Sequence, residues 1–503
     1  MNDTVHDVLI VGSGPAGVAA AFPLLEAGLK VAMVDGARDE APAPQDRMRA
    51  SFGPDYSALL PQDDRSPKQR LYRSRAMTRA HAERVGLAAR GFRASGAVAR
   101  GGLSTVWGAY AAEFDDQDLC GYPFGAADLR ASYDAVARRI GISGSADDAL
   151  GAFHGAATPL QAPPPLHPAA ARLLARAQPA GALTLGRARN ALLTQAWEER
   201  RACVLCKGCL WPCAGGSIYA STHDLARLRR HPGFTLADDF YVTCLERAGE
   251  AWDAVTTGRR LRARRILLAA GALGTACIAM QSLDMRGQAL PLLSNPLIAM
   301  PLWLPGAALL PVPAAGHTLA QLGLRLTLGD GGYAAGALYS LDGLPLDFIS
   351  AKLPLSLAAA ARVSAWLAGS VLVATMYFPG GYSASTMHLE RGTLHIDGGV
   401  REDFDAVCET ALRCLRAELR KLGAVPLPGT ERAPIGLDNH YAGSCPMGGT
   451  GPLATDAAGE FGAMPGVFAV DGAALPRLPS KHLTLTIMAN ADRIGRHIAA
   501  RGR

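Results

Sequence analysis

Three groups of residues in this chain have the types and spacing to do chemistry. The first is Gly12, Gly14 and Gly17, a G-x-G-x-x-G run with Asp35 downstream. In such a run the first glycine allows a tight turn, the second lets backbone approach a pyrophosphate, and the third lets helix and strand pack closely. Pro15 and Ala16 open a helical pattern whose free N–H groups would face the phosphates. An acid about 20 residues further on is placed to accept hydrogen bonds from a ribose. The second group is Cys203, Cys206, Cys209 and Cys213, spaced C-x2-C-x2-C-x3-C. Soft thiolates set this closely suit an iron–sulfur cluster or zinc, with reduced, incidental thiols as the plain alternative. The spacing matches the bacterial ferredoxin run, except that proline precedes the fourth cysteine (Pro212) and alanine follows it (Ala214). The third group is His440, in NHYAGSCPMGG, and His482, before LTLTIMANA. A lone histidine on an apolar segment is more often a satisfied core residue. Two of them in a chain that binds a redox dinucleotide point to a catalytic pair, because imidazole accepts a proton near neutral pH.

The glycine pattern alone is weak, so the elements around it decide. The apolar run Val8 to Val11 reads as a strand buried on both faces, an Ala- and Leu-rich helical pattern runs to Gly28, and a second apolar run, Val31 to Val34, ends at Asp35. Strand, glycine turn, helix, strand and acid in that order make a dinucleotide site. Pro23 inside the helical pattern is expected to bend or interrupt that helix. From Asp35 to about Lys68 a Pro- and charge-rich passage reads as surface loop, and residues 76–95 read as helical. In ARGGLSTVWGAYAAEF, Gly101 and Gly102 followed by Ser104 suit backbone lying against a ligand, or an ordinary glycine turn. Residues 234–248 and 251–268 read as strands; after the buried strand Ile266 to Ala269, Gly271 to Gly274 turn into a helix. From about Leu290 to Val425 the pattern changes to alternating strands with Gly-rich turns and a helix over Asp403 to Leu422. The organisation expected is a dinucleotide-binding domain from residues 1–290 and 430–503, carrying the Cys-rich loop 203–213, and a substrate-binding domain from 291–429.

Composition sets bounds. A chain of 503 residues exceeds the size at which a single core stops growing, and its 49% apolar content is enough for large cores. The net charge of +6 is small for this length. The Arg-rich stretch from Arg70 to Arg100 reads as a solvated helix face, with a phosphate- or lipid-facing surface as the alternative; it carries only two aromatics, Tyr72 and Phe92, so no nucleic-acid partner is expected. Met1 to Asp7 is short and polar, with no signal sequence, which predicts a cytoplasmic protein. In that compartment ten cysteines suggest metal, reactive or buried thiols before disulfides. Leu355 to Phe378 is long enough to span a bilayer, but Gly369 and the β-branched residues Val371 to Thr375 favour a buried helix followed by a strand. Peripheral membrane contact through this passage is the alternative.

Taken together, the fingerprint, the Gly101–Gly102 segment, ILLAAGALGT and the tail resemble the glucose–methanol–choline (GMC) oxidoreductases, flavoproteins that oxidise alcohols and sugars. The resemblance implies an α/β fold: a Rossmann-like FAD-binding domain with an inserted α+β substrate domain on an antiparallel sheet. It implies FAD held along Gly12, Gly14, Pro15, Ala16 and Gly17, with Asp35 at the adenosine ribose and Val242 beside the adenine. Gly101, Gly102, Ser104, Ala270, Gly271, Asp471, Gly472 and Thr484 would line the rest of the cofactor. Val106 stands where a related branch has a flavin-tethering histidine, so FAD is expected to be non-covalent. His440 matches the family's active-site histidine and His482 its second position. The implied reaction is removal of an alcohol's hydroxyl proton by His440 with hydride transfer to flavin N5. The four-Cys loop is similar to that of family dehydrogenases carrying an iron–sulfur cluster, although the spacing differs. The cluster would pass electrons to an external acceptor or redox partner protein. An oxygen-using oxidase, or a lyase that keeps FAD idle, are the alternatives.

Overall fold

A computed structural model describes residues 5–37, 72–156, 159–178, 181–209, 213, 215–308, 310, 313–341 and 355–502. The surface loop expected up to Lys68 falls, from residue 38 on, outside the described residues. The first layer is a mixed sheet built on Val5–Val11. Val31–Val34 pairs parallel to it on one side and Phe234–Ala237 lies beyond. On the other side Arg259–Leu268 pairs parallel, with its N-terminal half continuing antiparallel through Ala251–Thr256 to Cys244–Ala248. Val467–Ala469 from the tail pairs parallel with the end of Arg259–Leu268. Val8 to Val11, Val31 to Val34 and Ile266 to Leu268 are all buried, as continuous apolar strands covered on both faces must be.

Two helices cross on this sheet. Pro15–Glu26 starts at the glycine turn, and Thr484–Arg501 closes the chain against it. Pro23 does not interrupt the first helix, one of the two outcomes expected of it: the helix runs on to Glu26, and the Ala27 N–H donates to the Pro23 carbonyl at 3.2 Å. Pro23 is buried against the tail helix at Gly495, so tertiary packing offsets the hydrogen bond the proline cannot donate. A Cβ at Gly495 would lie 2.6 Å from the Ala20 carbonyl oxygen and 2.8 Å from Pro23 Cγ.

The second layer is an antiparallel sheet in the order Val425–Pro426, Leu297–Trp303, Val371–Tyr377, Tyr333–Ser340, Leu322–Thr327, Leu183–Arg187, with Glu431–Arg432 also on Leu297–Trp303. Leu183–Arg187 reaches this sheet from within the stretch assigned above to the first domain. Its strands alternate with period two. Leu372, Ala374 and Met376 pack with Cys408, Leu412, Leu415 and Leu419 of helix Phe404–Lys421. Val373, Thr375 and Tyr377 therefore point to the opposite face, where Tyr339 packs with Tyr110, Ala112 and Ala337. The passage long enough to span a bilayer is a helix, Leu357–Leu367, followed by strand Val371–Tyr377. The strand is largely buried, but the helix is not buried as expected: its described side chains are half-buried or exposed, Trp366 being 75% exposed. Among the described residues no helix is long and apolar enough to cross a membrane. Residues 76–95 are only partly helical, since helix Tyr72–Val85 gives way to strand Ala88–Arg90, which completes a smaller sheet with Thr393–Asp397, Thr386–Glu390 and Leu290–Pro291. The architecture is mixed α/β.

Gly495→Ala tests the helix crossing. In an exposed helix this change would stabilise by up to about 1 kcal/mol. Here the added methyl meets backbone, and overpacking of about 1–3 kcal/mol should win. Thermal unfolding should show a Tm lower by several degrees; an unchanged or higher Tm would contradict the close crossing.

Candidate active site

The glycine fingerprint divides into closed and open positions. A Cβ at Gly17 would collide with the Gly12 carbonyl, and one at Gly12, with φ of 107°, would collide with the Ala269 carbonyl. These two glycines let strand, turn and helix meet. Gly14, at the helix N-cap, has nothing within 4 Å of its Cβ position, and neither does Gly271 at the turn into helix Ala272–Ser282. Both leave open space at a helix start, the kind of place where a pyrophosphate can bind. Gly102 borders the same space, its Cβ position lying 3.6 Å from Gly14 Cα. The segment is pinned there: Gly101 N–H donates to the Ser13 hydroxyl at 3.0 Å, Ser221 Oγ donates to the Ser13 carbonyl at 3.0 Å, and Ser104 Oγ donates to the Gly101 carbonyl at 2.5 Å.

Asp35 ends its strand as expected, but its carboxylate turns inward. Oδ1 accepts from Ala37 N–H at 2.8 Å, and Oδ2 accepts from the Ser13 N–H and hydroxyl. Burial raises its pKa above the usual carboxylate range. In this arrangement Asp35 braces the fingerprint turn. Val242 is buried in the segment returning past the strand end, where Phe240 N–H donates to the Asp35 carbonyl at 2.9 Å and Tyr241 packs on Gly36. At the other end Asp471 Oδ2 accepts from Thr275 Oγ1 at 2.6 Å and Oδ1 from Ala473 N–H at 3.0 Å. This joins the turn after Ala270 to the tail, and burial pushes the Asp471 carboxyl up to about 6. Gly472 is obligatory because a Cβ would lie 2.5 Å from the Tyr441 carbonyl, next to His440. Thr484 starts the tail helix immediately beyond His482. The open glycine positions and free helix N–H groups fit an extended dinucleotide such as FAD.

His440 and His482 come together, with ring centroids 5.4 Å apart and the planes at 77°. Tyr377 stacks on His440 at 5.1 Å and meets His482 edge-on at 5.1 Å. Tyr110 stacks on His482 at 4.3 Å, and its hydroxyl is 2.6 Å from His154 Nε2. Burial lowers the His482 pKa to about 4, and burial with His482 alongside takes His440 well below its ordinary 6.5. Both imidazoles are therefore neutral at physiological pH. His440 Nδ1 lies 3.0 Å from Asn295 Oδ1. Asp438, its carboxyl raised to about 7 by burial, accepts from the backbone N–H groups of both Asn295 and His440, at 2.8 and 3.1 Å. The His482 segment is anchored by Lys481, 1% exposed, whose Nζ contacts Asp115 at 2.8 Å and Asp118 at 2.6 Å. Asn295, Asp438, Tyr110, Tyr377 and Lys481 carried no spacing signal. Tyr110, Tyr377 and Lys481 lay within passages read for other reasons, Asp438 lay one residue before the His440 motif, and Asn295 lay outside every motif.

The cysteine loop is shaped but does not close on a metal. Leu205 N–H donates to Cys203 Sγ at 3.4 Å and Thr318 N–H to Cys209 Sγ at 3.3 Å, while Leu205 and Lys207 take positive φ of 55° and 56°. The loop is tied to residue 316 by Lys207 N–H to Gly316 O at 3.0 Å and Gly316 N–H to Leu205 O at 2.8 Å. Burial raises the Cys203 thiol pKa, with the other three thiols contributing. All ten cysteines are free, and among the described residues no three His, Cys, Asp or Glu side chains converge as a metal-binding group.

Comparison with known proteins agrees with this layout. Residues 397–491 match the family described as GMC oxidoreductase, and residues 6–93 match that described as pyridine nucleotide-disulphide oxidoreductase. No curated protein matches the chain. Pyridoxine 4-oxidase from Mesorbium loti is similar in structure, with a TM-score of 0.62 over 98% of this chain and 99% of that one at 16% identity, a likeness of fold.

The open and closed glycines separate by substitution. Gly14→Ala should purify with much less flavin yet, compared flavin-free, unfold at the wild-type temperature, whereas Gly17→Ala should lose both flavin and flavin-free stability, read by flavin absorbance per chain and by thermal unfolding. Full flavin content in Gly14→Ala would contradict the cradle. With its fingerprint domain at one end and residues 397–491 at the other, the chain carries the C-terminal domain of the GMC oxidoreductases joined to a flavoprotein-type dinucleotide-binding domain.

Proposed function

We propose that this protein is an FAD-dependent oxidoreductase that dehydrogenates an alcohol. The observation that carries the reading is the pair of buried, neutral imidazoles 5.4 Å apart, walled by Tyr377 and Tyr110. Gly12, Gly14, Gly17, the Gly101–Gly102 segment, Gly271 and the Asp471–Gly472 turn would hold FAD, with Asp35 and Val242 towards its adenosine end. When bound, FAD supplies the two-electron acceptor for the hydride leaving the carbinol carbon. The O–H and C–H bonds break, a carbonyl forms, and the hydroxyl proton goes to His440. A neutral imidazole can take that proton, and its low proton affinity lets it return the proton to solvent afterwards. His482 donates a hydrogen bond to the substrate oxygen and stabilises developing negative charge there. The start of helix Thr484–Arg501, directly after it, adds a positive dipole end. Burial by the tyrosines excludes water and strengthens both interactions.

For electron exit we propose a dehydrogenase, in which Cys203, Cys206, Cys209 and Cys213 would hold an iron–sulfur cluster supplying one-electron transfer towards an external acceptor. The backbone N–H groups aimed at Cys203 Sγ and Cys209 Sγ support this, since hydrogen bonds to the ligating sulfurs are part of how such a cluster is held and tuned. The second reading is an oxygen-using oxidase. The thiols' failure to converge among the described residues favours it, as does the activity named for the pyridoxine 4-oxidase neighbour.

Pyridoxine, then a panel of sugar and secondary alcohols, is the first set of probes for anaerobic bleaching of the flavin. His440→Ala should slow that bleaching by at least about a hundredfold with flavin content unchanged. A near-wild-type rate would remove His440 from the role. Protein purified without oxygen should contain iron and labile sulfide and show a paramagnetic signal that Cys206→Ser with Cys209→Ser abolishes. Iron-free protein that consumes oxygen and releases peroxide with its alcohol is the oxidase.

A further inference from the structure

The Asn295 side chain meets three groups of this site. Its Nδ2 carries two hydrogens, and the group lies 2.7 Å from the Phe378 carbonyl and 3.0 Å from the Pro479 carbonyl. Carbonyl oxygens only accept, so the amide cannot be turned over without placing Oδ1 against two other oxygens. Oδ1 must then be the atom facing His440 Nδ1 at 3.0 Å. An amide oxygen also only accepts, so Nδ1 must carry a proton. Burial keeps His440 neutral, and a neutral imidazole has one N–H. Its lone pair is therefore on Nε2.

We propose that Asn295 is the positioning residue that holds His440 in its Nδ1–H form and so makes Nε2 the atom that receives the substrate proton. This rests on the reading of His440 as the base. The joint is fixed from three directions. Phe378 follows strand Val371–Tyr377, Pro479 precedes the Lys481–His482 anchor, and one oxygen of Asp438 accepts from the backbones of both Asn295 and His440. The Ser294 hydroxyl donates to the other oxygen. Asn439, between Asp438 and His440, takes φ of 61°, which brings the His440 N–H back to that carboxylate. Tyr377 stacked on the ring opposes its swivelling. The substrate-side sheet and the tail are thus both required to set one proton on one nitrogen, and an active tautomer exists only when the two are docked.

Holoenzyme labelled with nitrogen-15 in its histidines tests this without a substrate, because long-range proton–nitrogen correlations report each ring nitrogen's protonation. His440 is assigned by the signal that His440→Ala removes. The wild type should show Nδ1 protonated and Nε2 bare at neutral pH. Asn295→Leu should shift His440 to the Nε2–H form or a mixture, and flavin bleaching by the best alcohol of the panel should slow roughly tenfold or more. Asn295→Asp keeps an acceptor towards Nδ1; its other oxygen takes the place of Nδ2 against the Phe378 and Pro479 carbonyls and must be protonated to donate there, so the Nδ1–H form should be kept. The other titratable groups facing that ring are Tyr377, His482 and Asp438. An Nε2–H form in the wild type, or an unmoved Nδ1–H form in Asn295→Leu, overturns the proposal; the wild-type and Asn295→Asp spectra decide it even if Asn295→Leu does not fold. If His440→Ala bleaches normally, the base assignment fails independently of either spectrum.

Discussion

A buried imidazole that takes a proton must arrive neutral and must not turn. Both conditions are met here by removal from water combined with hydrogen bonds from fixed backbone. Desolvation holds His440 and His482 below their ordinary pKa, and each lies against a tyrosine ring that excludes solvent. Burying polar groups in this way is costly unless each finds a partner. Asp438 accepts three hydrogen bonds, Asn295 engages two carbonyls and an imidazole, and Lys481 is balanced by two carboxylates. Such a network needs elements from distant parts of the chain, which explains why residues near 115, 295, 378, 438 and 480 all meet here.

The same logic of close backbone approach organises the cofactor side. Gly12, Gly17, Gly472 and Gly495 each occupy a place where a methyl group would strike a carbonyl. Gly14 and Gly271 face open space instead. The first set holds helix, turn and tail against the sheet, and the second leaves room for a ligand. Their joint effect is a rigid rim connecting the start of helix Pro15–Glu26 to the segment that carries His440. Asp35 belongs with this scaffold in the structure, its oxygens being taken by Ser13 and Ala37.

Local chemistry was readable from the sequence, and long-range chemistry was not. The fingerprint was legible because strand, glycine turn, helix and acid lie within about 30 consecutive residues, the length of one βαβ unit. The two histidines were legible through their surroundings, and the helix–strand reading of 355–378 from Gly369 and the β-branched residues after it. The interruption expected at Pro23 is absent because its helix is held by the tail helix, an element more than four hundred residues away in sequence. Asn295 gave no signal at all: nothing in SNP marks an amide whose partners are Phe378, Pro479 and His440. Tyr377 and Tyr110 were equally silent, since their side-chain direction follows from sheet pairing. In the cysteine loop the spacing was plain, while the paths of the sulfurs depend on how the loop docks on Gly316 and Thr318.

The central claim is that these two neutral imidazoles face the reactive ring of a bound flavin. A crystal structure of the flavin-loaded protein measures this directly. The account predicts the pyrophosphate on the open face of Gly14 and the isoalloxazine ring in contact range of both His440 and His482. A flavin whose ring lies away from this pair, or histidines separated and solvated in the loaded protein, would contradict it.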